Sequence, residues 1–502
     1  MKKLLPLFLL GALCVSPATA QKIKPSTKPN ACQQEMIGRG YGMFIHYGMN
    51  TFNQAEWSEG TDSPSVYNPT ELDCDQWIKV AKDAGFRYVI LTTKHHDGFC
   101  LWDSKYTDYD VASSPVKTDV VKAVSDACKK YGIGLGLYYS QWDRHEPTFQ
   151  DEKNFGKYID YMENQLTELL TNYGDVCEIW FDGGWMKNYP EWQMDRIYNH
   201  VKKLQPQCAV GVNVSVLREK PEQSDIWFDK CADPEDMVEG NDSLFVRYFP
   251  MDFRMRDPYI AHPKDQKIYN VDGKKYYLPF EQTVCISREN TWFQKTRPVE
   301  THSLDHLEEM FYWATANDNV FVINVPPDAR GKIRENEIQM LLALRDRVGI
   351  EPGKKFKKRQ RLISLNAPSE ATSEWDANYT AAKAFDGGWA TRWASREETP
   401  QLVCSLNPDE EFNRISIIEY TDQEGATETT PRRFTNRITQ YTIDAFNNGQ
   451  WEVIYTSTEP MGDCKVINFA RPLKAEKLRL NVLSSIAPPS IHEFSVYAPE
   501  GK

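Results

Sequence analysis

Gly174-Asp175-Val176-Cys177-Glu178-Ile179-Trp180-Phe181-Asp182-Gly183-Gly184 is the stretch whose reading decides the fold. Helical periodicity from Phe155 to Tyr173 stops at a glycine. A short apolar and aromatic run follows, and one carboxylate stands at its tip before two further glycines. Glycine after a helix, then a buried strand, is the αβ half of a βα unit. Taken alone, Asp182 reads more readily as the cap of a following helix than as a chemical group. Its neighbours change that reading, because the same unit recurs on both sides. Asp75 to Ala84 ends at Gly85 before Tyr88-Val89-Ile90-Leu91-Thr92, and Asp119 to Tyr131 ends at Gly132 before Ile133 to Tyr139. Ile197 to Leu204 then leads into Ala209 to Val214. Strands of unbroken apolar character are what a parallel sheet covered on both faces requires.

The pattern predicts an α/β protein whose first part is a (β/α)8-like barrel, with chemistry gathered at the strand C-termini. An open doubly wound sheet is the alternative. No GxGxxG or GxxxxGK[ST] loop opens a helix, which weakens its nucleotide-binding form. After Gly353-Lys354-Lys355-Phe356-Lys357-Lys358-Arg359 the pattern changes to short alternating runs, among them Arg414 to Tyr420, Gln440 to Phe446 and Ile491 to Tyr497. These predict an all-β sandwich of the jelly-roll kind. The expected organisation is a signal peptide over 1–20, the barrel domain over 21–350, a basic linker over 351–360 and the sandwich over 361–500.

With 502 residues and 41% hydrophobic content the chain can bury two sizeable cores. A net charge of −12 argues against nucleic acid or an anionic membrane surface as partner. Lys2-Lys3, the apolar run from Leu4 to about Val15 and Ala18-Thr19-Ala20 read as a secretory signal. That run is too short to span a bilayer and no later run is longer, so an exported protein, periplasmic or secreted, is expected without a membrane span. Ten cysteines follow the signal, none at CxxC spacing, and sequence alone pairs none of them.

If the strand ends share one mouth, they bring together His46, Glu56-Trp57, His95-His96, Tyr138 to Trp142 and Asp182. The His95-His96 pair admits a metal site, a packed dyad or a pair of donors to hydroxyl groups. Adjacent side chains on an extended strand point apart, so the two rings are not expected to share a metal. Twelve per cent aromatic content suits the stacking of rings on sugar faces, although large cores use aromatics too. Glycoside hydrolysis generally needs one ionised and one protonated carboxyl. Asp182 is the ionised candidate. Glu281, in Leu278-Pro279-Phe280-Glu281-Gln282-Thr283, is the protonated one, because apolar neighbours raise a carboxyl pKa.

Together, Gly42-Met43-Phe44-Ile45-His46-Tyr47-Gly48, Lys94 to Phe99, Tyr139 to Pro147, Trp180 to Gly183 and Asn324 to Gly331 resemble the α-L-fucosidases of glycoside hydrolase family 29. The resemblance implies a retaining exo-α-L-fucosidase acting on a fucosylated oligosaccharide or glycoconjugate, with no cofactor for catalysis. It makes Asp182 the nucleophile and Glu281 the acid/base. His46, Glu56, Trp57, His95, His96, Tyr138, Trp180 and Trp292 would bind the sugar. The segment Trp142 to Pro147 resembles the branch that prefers α-1,3/1,4-linked fucose. Two departures stand out: Val238 to Tyr277 reads as an insertion, and the segment around Trp292 lacks the family's usual Pro-Gly. Ala384 to Trp393 and Ile491 to Phe494 resemble discoidin-like (coagulation-factor type C) modules, which makes Asp386 and Glu493 candidate ligands of a structural Ca²⁺. An α-L-galactosidase and a glycan-binding protein without turnover are the competing readings.

Overall fold

The computed structural model describes residues 23–187, 189–219, 230–357, 359–425, 430–457 and 459–501, so the expected signal over 1–20 lies outside the described residues. Eight strands close a barrel in chain order: β1 Tyr41–Ile45, β2 Tyr88–Lys94, β3 Gly134–Ser140, β4 Val176–Asp182, β5 Ala209–Asn213, β6 Phe253–Met255, β7 Phe280–Cys285 and β8 Val320–Asn324. Every pairing is parallel, and β1 pairs with both β2 and β8. Closure removes the open-sheet alternative. Helices α1 Ala31–Arg39, α2 Cys74–Asp83, α3 Val120–Tyr131, α4 Phe155–Asn172, α5 Met194–Leu204, α6 Leu304–Thr315 and α7 Glu335–Val348 belong to this domain. Their boundaries follow local chemistry: Asn30, Asp73, Asp119 and Ser303 cap N-termini through side-chain oxygens, and Gly132 closes α3 in the left-handed region.

The barrel floor is packed rather than open. A Cβ at Gly42 would lie 2.5 Å from the Tyr88 ring, so β1 needs glycine there to admit that ring. Tyr88 in turn donates to Glu281 Oε2 at 2.9 Å.

Val238 to Tyr277 is not an insertion throughout. It contains β6, which completes the barrel, together with a hairpin of Ile268–Val271 against Lys274–Tyr277. A strand of only three residues carries too little periodicity to be read from sequence. The expected linker is also less free than its basic composition implies. Phe356 packs against the barrel core, with the Arg87 guanidinium 3.9 Å from its ring centre.

The C-terminal domain is the expected all-β sandwich. A five-stranded sheet (Ser369–Ala371, Gln401–Ser405, Lys477–Ser485, Ile438–Asn447, Gln450–Ser457) faces a four-stranded one (Trp393–Ala394, Ser490–Tyr497, Phe412–Glu419, Cys464–Leu473). Phe385, Trp393, Phe412, Tyr441 and Phe494 belong to its core. All ten cysteines from Cys32 to Cys464 are free thiols.

The two domains are joined by buried polar contacts. Arg414 of the sandwich meets Glu309 of α6 at 2.5 Å, and Tyr497 bonds both Glu309 and Trp313 at 2.8 Å. Removing one partner of a buried ion pair leaves an uncompensated charge, so Arg414→Ala is expected to cost about 3–5 kcal/mol. Chemical denaturation reads this as a lowered midpoint. An unchanged midpoint would mean that the Arg414–Glu309 contact adds nothing to the stability of the folded chain.

Candidate active site

Asp182 ends β4 and faces the mouth of the barrel. Gly183 follows at φ 76°, and a Cβ there would sit 2.6 Å from Trp142, so only glycine lets the chain turn away at this point. Asp182 Oδ2 accepts from Tyr138 Oη at 2.7 Å and Oδ1 accepts from Asn213 Nδ2 at 3.1 Å. The same amide nitrogen also donates to Asp257 Oδ1. One nitrogen shared by two carboxyls keeps their oxygens within two hydrogen-bond lengths, about 6 Å. Burial, and then the charge of Asp257, pushes Asp182 up to about 7. Asp257 is raised as well, chiefly by burial. Two like charges this close do not both ionise readily, so the pair holds one proton near neutrality. Tyr138 supports charge on Asp182, whereas the Arg256 guanidinium supports it on Asp257, so the two carboxyls compete for that one proton.

Around the pair lies a shell of neutral imidazoles. His46 Nδ1 bonds Asn324 Oδ1 at 2.9 Å, and His95 Nδ1 accepts from Asn50 at 2.8 Å. His96 Nδ1 lies 2.6 Å from Ser140 Oγ. Ser140 gives its proton to the Trp142 carbonyl at 2.6 Å, so His96 Nδ1 is the donor in its pair and Nε2 carries the lone pair. Burial lowers His46 and His96 to about 3 and His95 well below its ordinary value. His96 Nε2 faces Asp182 Oδ2 at 3.6 Å, two acceptors with no proton between them. A hydroxyl lying over the two atoms can donate to either of them.

The expectation that His95 and His96 point apart does not hold. The strand ends at Lys94, the chain bends there, and the two rings stand 4.1 Å apart between centroids. With Asp182 their donor atoms lie within 4.8 Å of one another, near enough for a metal ion. Aromatic walls complete the mouth. Trp292 lies 5.0 Å from His46, and Phe293 lies 4.9 Å from His95, both between ring centres. Trp57, 43% exposed, meets His96 and Trp142 edge-on at 5.7 and 5.5 Å. Glu56 stands at the rim, raised by desolvation and by the charge of Asp257.

Two expected site residues lie elsewhere. Glu281 is the second residue of β7, fully buried, and accepts from Tyr88 and from Trp180 Nε1 at 2.8 Å. Its carboxyl neighbour is Glu178, whose charge and Glu281's oppose one another in the barrel interior. Glu178 precedes Asp182 by four residues on β4, about 13 Å along the strand. Glu281 therefore belongs to the floor and is not brought to Asp182. Trp180 turns its N–H down to the same carboxylate and stacks beneath Tyr138 at 5.4 Å. It lies below the mouth, under the Tyr138 ring. Glu289, another acidic residue near the mouth, is held by the Arg297 guanidinium.

Asp257 and Asn213 escaped the sequence reading. Asp257 follows a three-residue strand inside the supposed insertion, and no motif marks it. Asn213 had a usable signal, since it is the polar tip of an otherwise apolar strand.

The two proposed Ca²⁺ ligands do meet in the sandwich, but their oxygens are already engaged. Asp386 Oδ1 accepts from Gly388 N and Thr391 Oγ1, and Oδ2 faces Lys383 Nζ at 3.3 Å. Glu493 accepts from Gly387 N at 3.1 Å and Ser495 Oγ at 3.3 Å. Calcium takes about six to eight oxygen ligands, whereas this pair is surrounded by donors and an ammonium. The residues fit turn-capping better than cation binding.

Comparison with known proteins adds a family context. Residues 17–346 match the family described as Alpha-L-fucosidase, and residues 368–494 match the F5/8 type C domain. The chain is 30% identical to Alpha-L-fucosidase 1 of Arabidopsis thaliana, over 93% of this chain and 87% of that one. It is 28% identical to a putative alpha-L-fucosidase 1 of Oryza sativa subsp. japonica, over 91% and 82%. Among solved structures, a putative alpha-L-fucosidase from Bacteroides thetaiotaomicron shares 27% identity at a TM-score of 0.52, covering 96% of this chain and 100% of its own. A putative alpha-L-fucosidase from Bacteroides ovatus shares 25% at a TM-score of 0.51, covering 94% and 74%.

Proposed function

The chain belongs to the alpha-L-fucosidase family and is a glycoside hydrolase; from that premise we propose that it is a retaining exo-enzyme in which Asp182 is the nucleophile and Asp257 the acid/base. The observation that carries this reading is the Asn213 amide shared by the two carboxyls. It keeps their nearest oxygens within about 6 Å, and a retaining glycosidase works with carboxyls about 5–5.5 Å apart. Asp257 gives its proton to the glycosidic oxygen as the bond to the anomeric carbon breaks. An Asp182 oxygen forms the new bond to that carbon. Asp257, now ionised, takes a proton from water, which attacks the same carbon and frees Asp182. The neutral imidazoles of His46, His95 and His96 donate to and accept from the sugar hydroxyls, and Trp57 and Trp292 flank the ring.

Two inversions at the anomeric carbon leave its configuration unchanged. Proton NMR during early turnover is therefore expected to show α-L-fucose before mutarotation. The β-anomer appearing first would end the retaining assignment. The preference for α-1,3/1,4-linked fucose rests on the segment Trp142 to Pro147, and a panel of oligosaccharides of defined linkage tests it through the fucose released.

Glu281→Gln separates the floor from the mouth. The amide keeps the shape and the acceptor for Trp180, so kcat is expected to stay within about tenfold of wild type. A loss on the scale of a removed acid/base, about 10²–10⁴-fold, would return Glu281 to that role. The proposal includes export, and N-terminal sequencing of the mature protein is expected to begin at Gln21.

A further inference from the structure

A cavity of about 390 Å³ lies between the barrel and the sandwich, walled by loops of both. On the barrel side it begins at Pro258-Tyr259-Ile260, directly after Asp257, and continues to Arg288 and Asn290, just before Trp292. Tyr259 is two residues from Asp257, at most about 7 Å of chain. The sandwich supplies Trp389, Glu419, Tyr420 and His492. The volume falls in the range of about 300–1,000 Å³ typical of ligand sites.

The wall contains polar groups without partners. Trp389 Nε1, His306 Nε2 and Glu419 Oε2 are buried and make no hydrogen bond. Such groups are rare in folded proteins and call for an occupant. His302 and His306 both turn Nδ1 to Asp463 of the sandwich, at 3.4 and 3.2 Å, which leaves His306 Nε2 turned away from it and unpartnered. His492 Nδ1 is held by the Thr391 carbonyl at 3.0 Å, so its Nε2 is an acceptor. Glu419 Oε1 takes two backbone amides, and burial raises the carboxyl to about 8, so Oε2 can carry a proton at neutral pH. Tyr420 adds an aromatic ring fixed by the Arg392 guanidinium 4.0 Å from its centre. Donors, acceptors and aromatic rings in one cleft suit a ligand made of hydroxyl groups on apolar ring faces.

We propose that this interdomain cavity is the subsite for the glycan from which fucose is removed, so that the C-terminal domain forms part of the leaving-group site. The inference rests on the assignment of Asp257 as acid/base, because the group that protonates the leaving oxygen marks the side from which the glycan departs. It gives the sandwich a role in the same catalytic event, in place of a detached binding function.

The test compares two substrates on the full chain. An aryl α-L-fucoside reaches only the fucose pocket, whereas a fucosylated oligosaccharide also enters the cavity. Trp389→Phe removes the unpartnered N–H and keeps the ring. It is expected to lower kcat/KM for the oligosaccharide about tenfold, mainly through KM, and to leave the aryl fucoside within about twofold. Tyr420→Ala, at a half-buried position, is expected to give the same split should Trp389→Phe fold poorly. Unchanged oligosaccharide kinetics in both variants would overturn the proposal and leave the cavity to water, and so would equal losses on both substrates. Failure of the wild-type enzyme to cleave even the aryl fucoside would instead strike the fucosidase reading itself.

Discussion

Asp182→Ala is expected to lower kcat by about 10⁴-fold or more while leaving the fold intact. In the proposed mechanism the variant removes the atom that bonds to the anomeric carbon. His96 Nε2 is 3.6 Å away, but it is held in the Ser140 pair and is not aligned to attack. Stability should not suffer. Asp182 is a buried carboxyl raised by burial and by Asp257, so its removal relieves repulsion. Thermal melting is expected to give a midpoint equal to or above wild type, as when a strained functional group is deleted. Azide, entering the vacated space from the face opposite the leaving group, should restore part of the turnover on an aryl fucoside and yield the β-fucosyl azide. Wild-type rates in Asp182→Ala would remove the nucleophile assignment outright.

Asp257→Ala should behave differently, and the difference identifies the acid. Oligosaccharide cleavage needs a proton on the departing oxygen and is expected to fall about 10²–10⁴-fold. An aryl fucoside with an acidic phenol leaves without that proton and should lose far less in its first step. Azide rescue should now give the α-fucosyl azide, because the covalent intermediate still forms. The pH profile sharpens the test. The pair holds one proton near neutrality, and the acid acts only while that proton is present. Oligosaccharide kcat/KM in wild type should therefore fall as pH rises through the upper pKa of the pair, near the value of about 7 seen for Asp182. Asp257→Ala should lose that alkaline limb. If Glu56→Ala, and not Asp257→Ala, shows the leaving-group dependence, the acid is the rim glutamate.

The fate of individual residues shows what could be read in advance. Trp180 and Asp182 are two apart on one strand and must share a face, so an inward Trp180 beneath an inward Asp182 was legible from the period alone. His46, His95 and Tyr138 were legible for a similar reason, since polar groups ending apolar runs in a parallel barrel converge on one mouth. The relation of His95 to His96 was not, because it depends on the strand ending at Lys94. Glu281 was placed on the correct strand and at the wrong height. Apolar neighbours announce a raised carboxyl pKa equally well at the floor and at the mouth, and only the register of β7 against β8, Glu281 beside Val320, sets its level.

Asp257 marks the other boundary of the sequence reading. It sits in Arg254-Met255-Arg256-Asp257, where three strand residues and flanking charges carry no period, and its importance comes from a neighbour 44 positions earlier, Asn213. Local periodicity and strand polarity were enough to read the barrel, the sandwich, the place of Asp182 at a strand tip and the aromatic and imidazole shell. Which carboxyl shares the Asn213 amide with Asp182, and that the sandwich closes a cavity starting at the residue after Asp257, were settled only by the tertiary fold. Both depend on contacts between residues far apart in the chain, and hydrophobic patterning, which records only what is buried, does not say against what.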